Sequence, residues 1–201
     1  MAAGLLVRAS ITLALGGVCL TSPLLAQWLV GLEVGADRFW GGSEDSTSNH
    51  RSFRPYRPTI FASTLERRSG KVGVGLRLQY CEASLGLEGS EGVAAVKGVF
   101  TVYSISPELS YRIASVSDNQ LHLRLGPLIE IWDMTGQDDR TRAGAQGAVA
   151  FTVPLGQRFS AVASGSLALI ASPFEEGDLP EAYEIKTLWR RRFAGGLQYR
   201  L

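Results

Sequence analysis

The chain has 201 residues, 45% of them apolar, and its 20 basic and 19 acidic side chains leave a formal net charge of +1. A nucleic-acid-binding protein would show an excess or a stripe of basic residues, and a disordered chain would carry fewer apolar residues and a larger net charge. The 23 glycines predict many tight turns or closely packed strands, and the length suits one domain of ordinary size.

The N-terminal segment has the layout of a secretory signal peptide. A single arginine precedes an apolar stretch, and Ala26 places a small residue before a cleavage point at Gln27. We therefore predict that residues 1–26 are removed and that residues 27–201 form the folded domain. The alternative is an uncleaved membrane anchor, since residues 5–25 are nearly long enough to span a bilayer.

From residue 27 onwards, the dominant pattern is an alternation of apolar and polar residues with a period of two. Strict alternation of this kind is typical of strands with one apolar and one polar face. It predicts an all-β domain of eight strands, five of them clear and three weaker: the clear ones lie at 27–40, 71–80, 99–112, 121–131 and 184–201, and the weaker ones at 59–68, 142–153 and 159–171. For the strand at 59–68 the outward face is left open between two sets: Phe61, Ser63 and Leu65, or Ile60, Ala62 and Thr64.

The connections between the predicted strands alternate in length. Four connections are long and polar, at 41–58, 86–98, 133–141 and 172–182. The three short turns between them lie at 69–70, 115–119 and 154–157. Loops sorted in this way are typical of an up-and-down barrel that crosses a membrane. We therefore predict an eight-stranded antiparallel transmembrane β-barrel with short periplasmic turns and longer extracellular loops.

The charged residues of the strands share the face opposite to the bulky apolar residues. An eight-stranded barrel is just wide enough for side chains to fill its interior, so aromatic residues at most inward positions would overfill it. We therefore predict an inside-out barrel, with lipid outside and a packed lumen in which charges pair because unpaired buried charge is costly. The predicted lumen network comprises Glu33, Asp37, Arg77, Glu108, Arg112, Arg124, Glu130, Arg190 and Arg192.

Two pairs within this network follow from counting along neighbouring strands. Asp37 is expected opposite Arg190 or Arg192, where the last strand closes on the first, and Glu108 is expected opposite Arg124. A narrow polar pore is the alternative to the packed lumen. A secreted, lipocalin-like barrel that binds a ligand with its apolar face inside is the alternative to the inside-out arrangement.

Aromatic residues cluster at the predicted strand ends. Trp28 and Trp40 lie on the same face of the first strand, and twelve steps of about 3.3 Å, tilted by about 45°, span roughly 28 Å of the membrane normal. This distance is close to the apolar band of roughly 25 Å between the aromatic girdles of transmembrane barrels. The predicted girdle residues are Trp28, Trp40, Tyr80, Tyr111, Phe151, Phe159, Trp189 and Tyr199.

The export signal, the eight amphipathic strands, the three short turns and the C-terminal segment 195–201 together resemble the small outer-membrane β-barrel proteins of the OmpA/OmpX-like group. Gly196 and Tyr199 match the glycine and aromatic positions of that group's C-terminal assembly signal, whereas Leu201 stands where phenylalanine is usual. The resemblance implies a bacterial outer-membrane location with both termini in the periplasm. It also implies assembly by the outer-membrane insertion machinery and contact with outer-membrane lipid and lipopolysaccharide.

Residues that carry chemistry in other proteins are few here. The two histidines are His50, in the first long loop, and His122, on the polar face of the fifth strand. The sequence holds no HExxH, GxSxG or P-loop motif. We therefore predict no catalytic, cofactor-binding or metal-binding residues. A membrane-embedded enzyme that modifies lipid with His122 is the alternative.

Three other features are interpreted as structural. Cys81 is expected to be a packed small residue. The spacing of the acidic residues in the last long loop does not match that of a calcium-binding loop, so we interpret the loop as a solvated surface. These residues are Glu175, Glu176, Asp178 and Glu181. Three arginines of the first loop are interpreted as solvating it, with lipopolysaccharide contact as the alternative: Arg51, Arg54 and Arg57. The leading prediction is a non-enzymatic outer-membrane barrel that stabilises the envelope or presents its loops for surface interaction.

Overall fold

The computed structural model describes residues 26–45, 52–89, 92–136, 138–175, 177–178, 180 and 183–201. Its strands are β1 (Gln27–Asp45), β2 (Ser52–Ser69), β3 (Val72–Gly89), β4 (Gly92–Val116), β5 (Asn119–Met134), β6 (Arg140–Pro154), β7 (Phe159–Ile170) and β8 (Tyr183–Arg200). Each strand pairs antiparallel with its neighbours in sequence, and β8 closes on β1. The predicted eight-stranded, up-and-down barrel is confirmed.

Several sequence predictions fall on residues outside the described part of the chain. These are the signal peptide up to residue 25, His50, Arg51, Glu176 and Glu181. The side chain of Arg57 is also outside it, whereas Arg54 donates a hydrogen bond to the carbonyl oxygen of Phe39 at 2.9 Å. No helix in the described part of the chain is long and apolar enough to cross a membrane.

The strands place apolar residues on the outside of the barrel and polar residues on the inside. On β1, Leu32 is 65% exposed on the outer face, whereas its neighbour Glu33 is 7% exposed in the lumen. On β2, Phe61 points outward and Ile60 points inward, which settles the facing that the sequence left open. An apolar exterior of this kind is the reverse of a lipocalin-like barrel and fits a barrel that is surrounded by lipid.

The barrel has a short-turn end and a loop end, as the sequence predicts, but the strands continue further into the predicted loops. The short turns lie at 70–71, 117–118 and 155–158, and the longest connection, 171–182, lies at the opposite end. Much of the predicted loop at 86–98 is instead a β3–β4 ribbon, paired out to Gly89 and Gly92. Residues 86–98 lack a sustained apolar alternation, so the period-two pattern does not mark this ribbon.

The seam where β8 closes on β1 contains a close backbone approach at Gly196, which lies opposite Glu33. A Cβ atom at residue 196 would lie 2.0 Å from the carbonyl oxygen of Leu32 and 2.7 Å from the Cα of Glu33. At the neighbouring Gly195, which faces outward, the nearest atom to such a Cβ would be the carbonyl oxygen of Val162, at 3.9 Å. Glycine at 196 therefore lets β1 and β8 approach each other beside a buried carboxylate.

We expect Gly196→Ala to destabilise the closed barrel by about 1–3 kcal/mol, the usual cost of overpacking, and Gly195→Ala to have little effect. The folded fraction after refolding into detergent is measured from the mobility difference between unboiled and boiled samples on a denaturing gel. Equal folded fractions for the two variants would contradict the steric role of Gly196.

Candidate functional site in the barrel interior

A buried cluster of ion pairs around Glu33 lies in the middle of the lumen. Arg77 on β3 donates hydrogen bonds to both carboxylate oxygens of Glu33, at 2.8 and 2.9 Å. Arg124 on β5 donates to the same carboxylate at 3.3 Å, and Ser164 on β7 donates to it at 2.8 Å. No two of the four strands involved, β1, β3, β5 and β7, are neighbours in the sheet. The Glu33 side chain therefore joins them across the lumen.

A second cluster lies closer to the loop end. Arg192 is the register partner of Asp37 and donates hydrogen bonds to both of its carboxylate oxygens, at 2.8 and 3.0 Å. Arg190 lies 3.5 Å from Asp37 and hydrogen-bonds Glu130 on β5. Glu130 also accepts a hydrogen bond from the indole nitrogen of Trp132, at 3.0 Å. The structure thus places Asp37 beside both of the arginines predicted as its partners.

The predicted pairing of Glu108 with Arg124 is wrong. The β4–β5 register places Arg124 opposite Ser110, two residues from Glu108, because the turn lies at 117–118. Glu108 instead accepts a hydrogen bond from the side-chain amide of Gln146 on β6, at 2.9 Å. Arg124 contributes to the cluster around Glu33.

Glu66 is a lumen carboxylate that the sequence analysis missed, because the facing of β2 was left open. It is buried and accepts hydrogen bonds from Arg68 at 3.0 and 2.9 Å. The Ser110 hydroxyl donates to it at 2.5 Å. The alternation along β2 could have identified it: Leu65 faces outward, so its neighbours Thr64 and Glu66 both face the lumen.

The short-turn end of the lumen opens into a cavity of about 710 Å³ whose walls include Arg68 and Arg112. His122 is fully buried near this end, and its Nε2 lies 3.1 Å from the side-chain oxygen of Gln120. His122 therefore lies inside the lumen and not on the outer face of the barrel. Among the described residues, no group of three or more potential metal ligands lies together.

The loop half of the lumen is filled by an apolar plug that the sequence analysis did not predict. Trp132 lies at its centre with no exposed surface, and the rings of Phe39 and Phe100 contact it edge-on, with centroid distances of 6.0 and 5.8 Å. The plug consists of Phe39, Ile60, Cys81, Ala83, Phe100, Val102, Trp132, Met134, Phe174 and Leu188. The prediction that the bulky apolar residues lie on the outer face is therefore wrong for this half, whereas Cys81 packs as a small residue.

The described part of the connection between β7 and β8, residues 171–175 and 177–178, folds over the plug and is held there by two arginines of β6. Arg140 donates to the carbonyl oxygen of Pro173 and to the Asp178 carboxylate, each at 2.9 Å. Arg142 donates to the Ser172 carbonyl and the Glu175 carboxylate, each at 2.6 Å. Phe174, between these contacts, enters the plug. The part of the acidic loop that the structure describes is therefore an ion-paired cover rather than a fully solvated surface.

The pH dependence of this cover follows from its carboxylates. The hydrogen bond from Arg140 holds the pKa of Asp178 below its ordinary value of 3.8, and the hydrogen bond from Arg142 lowers the pKa of Glu175. A carboxyl group with a depressed pKa stabilises the folded state above its ordinary pKa, and this stabilisation is lost as the pH falls through the folded-state value.

We expect the cover to be ordered at pH 6 and to open in strongly acidic solution. Amide hydrogen-exchange protection, corrected for the intrinsic exchange rate, should fall over residues 171–175 and 177–178 between pH 6 and pH 2, while β7 stays protected. Asp178→Asn should lower the protection of the segment already at pH 6. Unchanged protection of wild-type protein at pH 2 would show that the ion pairs do not hold the segment.

Comparison with known proteins identifies the architecture. No protein-family model and no curated protein matches the sequence. The structure is similar to Neisserial surface protein A, NspA, with a TM-score of 0.59 and 12% identity over 88% of this chain and 99% of that chain. It is also similar to the outer membrane protein OprG from Pseudomonas aeruginosa, with a TM-score of 0.53 and 13% identity over 88% of this chain and 96% of that chain. The chain has the fold of the small outer-membrane β-barrel proteins.

The outer-membrane barrel fold accounts for the aromatic residues on the exterior. At the loop end Trp40 and Trp189 are register partners and stack, with ring centroids 6.2 Å apart and planes inclined by 8°. At the short-turn end the rings of Phe159 and Tyr199 lie 4.9 Å apart. The remaining predicted girdle residues lie on the outer face near one of these two ends: Trp28, Tyr80, Tyr111 and Phe151.

Proposed function

We propose that the chain is a closed, non-enzymatic barrel of the bacterial outer membrane that acts through its loop-end surface rather than through its lumen. The apolar plug carries this proposal, because Trp132, Val102 and Leu188 have no exposed surface. The two clusters around Glu33 and Asp37 lie beneath the plug. A solute that crossed the lumen would have to displace the plug and separate both sets of ion pairs.

The part of the chain that projects from the membrane supports a role in surface interaction. β4 has 25 residues, whereas a tilted strand needs about 9–11 residues to cross a bilayer. The β3–β4 ribbon therefore stands well outside the lipid, and it is regularly paired out to Gly89 and Gly92. Its outer part carries exposed Ala94, Ala95 and Val96. Apolar residues displayed on a rigid ribbon favour contact with another macromolecule.

The exterior and the C-terminal strand support an outer-membrane location and assembly by the outer-membrane insertion machinery. The outward face presents apolar residues between two rows of aromatic side chains, which suits a bilayer. The barrel then contacts membrane lipid along its whole outer face and lipopolysaccharide in the outer leaflet. Gly196 and Tyr199 lie on the strand that carries the assembly signal in proteins of this fold.

Electrical recording tests the closed lumen. We expect purified, folded protein in planar bilayers to give no steady conductance at neutral pH. The variant Arg140→Gln/Arg142→Gln frees the cover but keeps most of the plug, so we expect it to give no steady conductance either. Sustained conductance of the wild-type protein, above that of protein-free bilayers, would overturn the proposal in favour of a narrow pore. Fractionation tests the location independently, since the folded protein is expected in the outer-membrane fraction.

A further inference from the structure

Two arginines lie side by side on the outer face of the seam between β1 and β8. Arg38 and Arg191 are register partners, and both are exposed, because their neighbours Asp37 and Arg192 point into the lumen. One step towards the loop end, the next outward register pair is the stacked Trp40 and Trp189. The two cations therefore lie on the lipid-facing surface, just inside the aromatic girdle.

Among the residues that the structure describes, no carboxylate forms an ion pair with either arginine of this pair. The outward positions next to it on β1, β7 and β8 are uncharged: Ala36, Trp40, Leu167, Trp189 and Phe193. The guanidinium of Arg191 instead lies 5.9 Å from the ring centroid of Phe193. Like charges directly opposite each other on a sheet are destabilising, and arginine on the lipid face of a barrel costs energy that grows with depth.

The depth of the pair indicates which ligand compensates these costs. Arg38 is two residues from Trp40 along a strand tilted by about 45°, so its Cα lies about 5 Å deeper than that of the girdle tryptophan. An arginine side chain is long enough to extend from there to the headgroup level. At that level the available anion is the phosphate of a lipid, and the planar guanidinium fork matches phosphate oxygens in a bidentate manner.

We propose that Arg38 and Arg191 form a binding site for the anionic phosphate of an outer-leaflet lipid, with Trp40 and Trp189 packing beside its headgroup. One phosphate between the two guanidinium groups replaces their mutual repulsion by two charge-assisted contacts. The site lies on the seam that completes the barrel, so a bound lipid joins the first strand to the last. The inference deepens the proposed function by naming a lipid ligand; it depends on the membrane location and not on the closed lumen.

Native mass spectrometry of the folded, delipidated protein tests the site by counting bound lipids. Phosphatidylglycerol and lipid A are added in separate titrations, so that the two sources of a lipid phosphate are distinguished. We expect one of these lipids to be retained by the wild-type chain and its affinity to fall roughly five-fold for each arginine that is replaced, the equivalent of about 1 kcal/mol per cation. The variant is Arg38→Gln/Arg191→Gln, and the control is Arg67→Gln, which removes a lone outward arginine beside Trp28.

Stability measurements give a second test, in which the difference between the variant and wild type should change sign with the lipid composition. A variant that merely folds poorly would be less stable in both kinds of vesicle. In vesicles of zwitterionic lipid alone, the double glutamine variant should be at least as stable as the wild-type protein, because the repulsion is gone. In vesicles that contain the retained anionic lipid, it should be less stable than wild type. Equal lipid affinities of the wild-type and double-variant proteins, or the same stability difference in both vesicles, would overturn the site. Conductance of the wild-type barrel would overturn only the closed lumen.

Discussion

Glu33→Gln is expected to lower the free energy of unfolding by about 3–5 kcal/mol, the usual cost of removing one partner from a buried ion pair. The loss is large because two guanidinium groups, those of Arg77 and Arg124, share this carboxylate. Glutamine has almost the same volume as glutamate, so the variant removes the charge with little change in packing. Equilibrium unfolding by urea in phospholipid vesicles measures the difference.

The matched control is Glu184→Gln, at a carboxylate whose side chain is 66% exposed and 3.8 Å from Lys186. Exposed ion pairs contribute about 0–1 kcal/mol, so this variant should be nearly neutral. Adding Arg77→Met to Glu33→Gln should restore part of the stability, because one uncompensated buried charge is then removed. If the double variant were less stable than Glu33→Gln alone, packing of Arg77 rather than its charge would explain the effect.

The parity of the strands could be predicted from the sequence because the two faces of this barrel have different surroundings. Lipid selects Leu32 and Val34 outside, and the narrow lumen selects Glu33 inside, so each residue reports its own environment. The same reasoning brought Asp37 next to the arginines of β8, since both strands end near the same side of the barrel. On β2 the rule was ambiguous because the polar Ser63 lies on the outer face and the apolar Ile60 and Ala62 lie on the inner face.

Register and the loop cover could not be predicted, for two physical reasons. Pairing Glu108 with Arg124 requires a β4–β5 turn centred near Val116, whereas the turn lies at 117–118, so Arg124 lies opposite Ser110, two residues away. The contacts of Arg140 with Asp178 join residues far apart in sequence, and they depend on how the described part of the connection between β7 and β8 folds over the lumen. Neither depends on the period-two pattern from which the strands were predicted.

The plug, in contrast, is visible in the sequence once parity is followed to the strand ends. Phe39 follows Asp37 by two residues, Trp132 follows Glu130 by two, and both therefore face inward. Neither residue is placed inside by the prediction of a charge-paired lumen, which gives the whole interior one character. An inward polarity that changes from charged to aromatic along several strands at the same level predicts a sealed lumen.

Trp132→Ala is expected to be the most destabilising change in the plug, by about 3–5 kcal/mol, as for other buried aromatic residues. The cavity it leaves is bordered by Phe39 and Phe100, whose rings both contact the indole. The change also removes the hydrogen bond that the indole nitrogen donates to the Glu130 carboxylate, which accepts another hydrogen bond from Arg190. Urea unfolding in vesicles measures the loss, and the intact mobility shift on an unboiled gel establishes that the variant folds.

Trp189→Ala is the control for this prediction, because it removes the same side chain from the outer face of β8. Lipid chains fill the space that it leaves, so we expect a cost of at most about 1.5 kcal/mol, that of the lost aromatic pair with Trp40. Trp132→Phe should lie between the two alanine variants, since it keeps most of the packing and loses the hydrogen bond to Glu130. If Trp132→Ala and Trp189→Ala lower the free energy of unfolding by the same amount, the plug does not stabilise the barrel. The stability of the barrel interior then depends on the charged clusters alone.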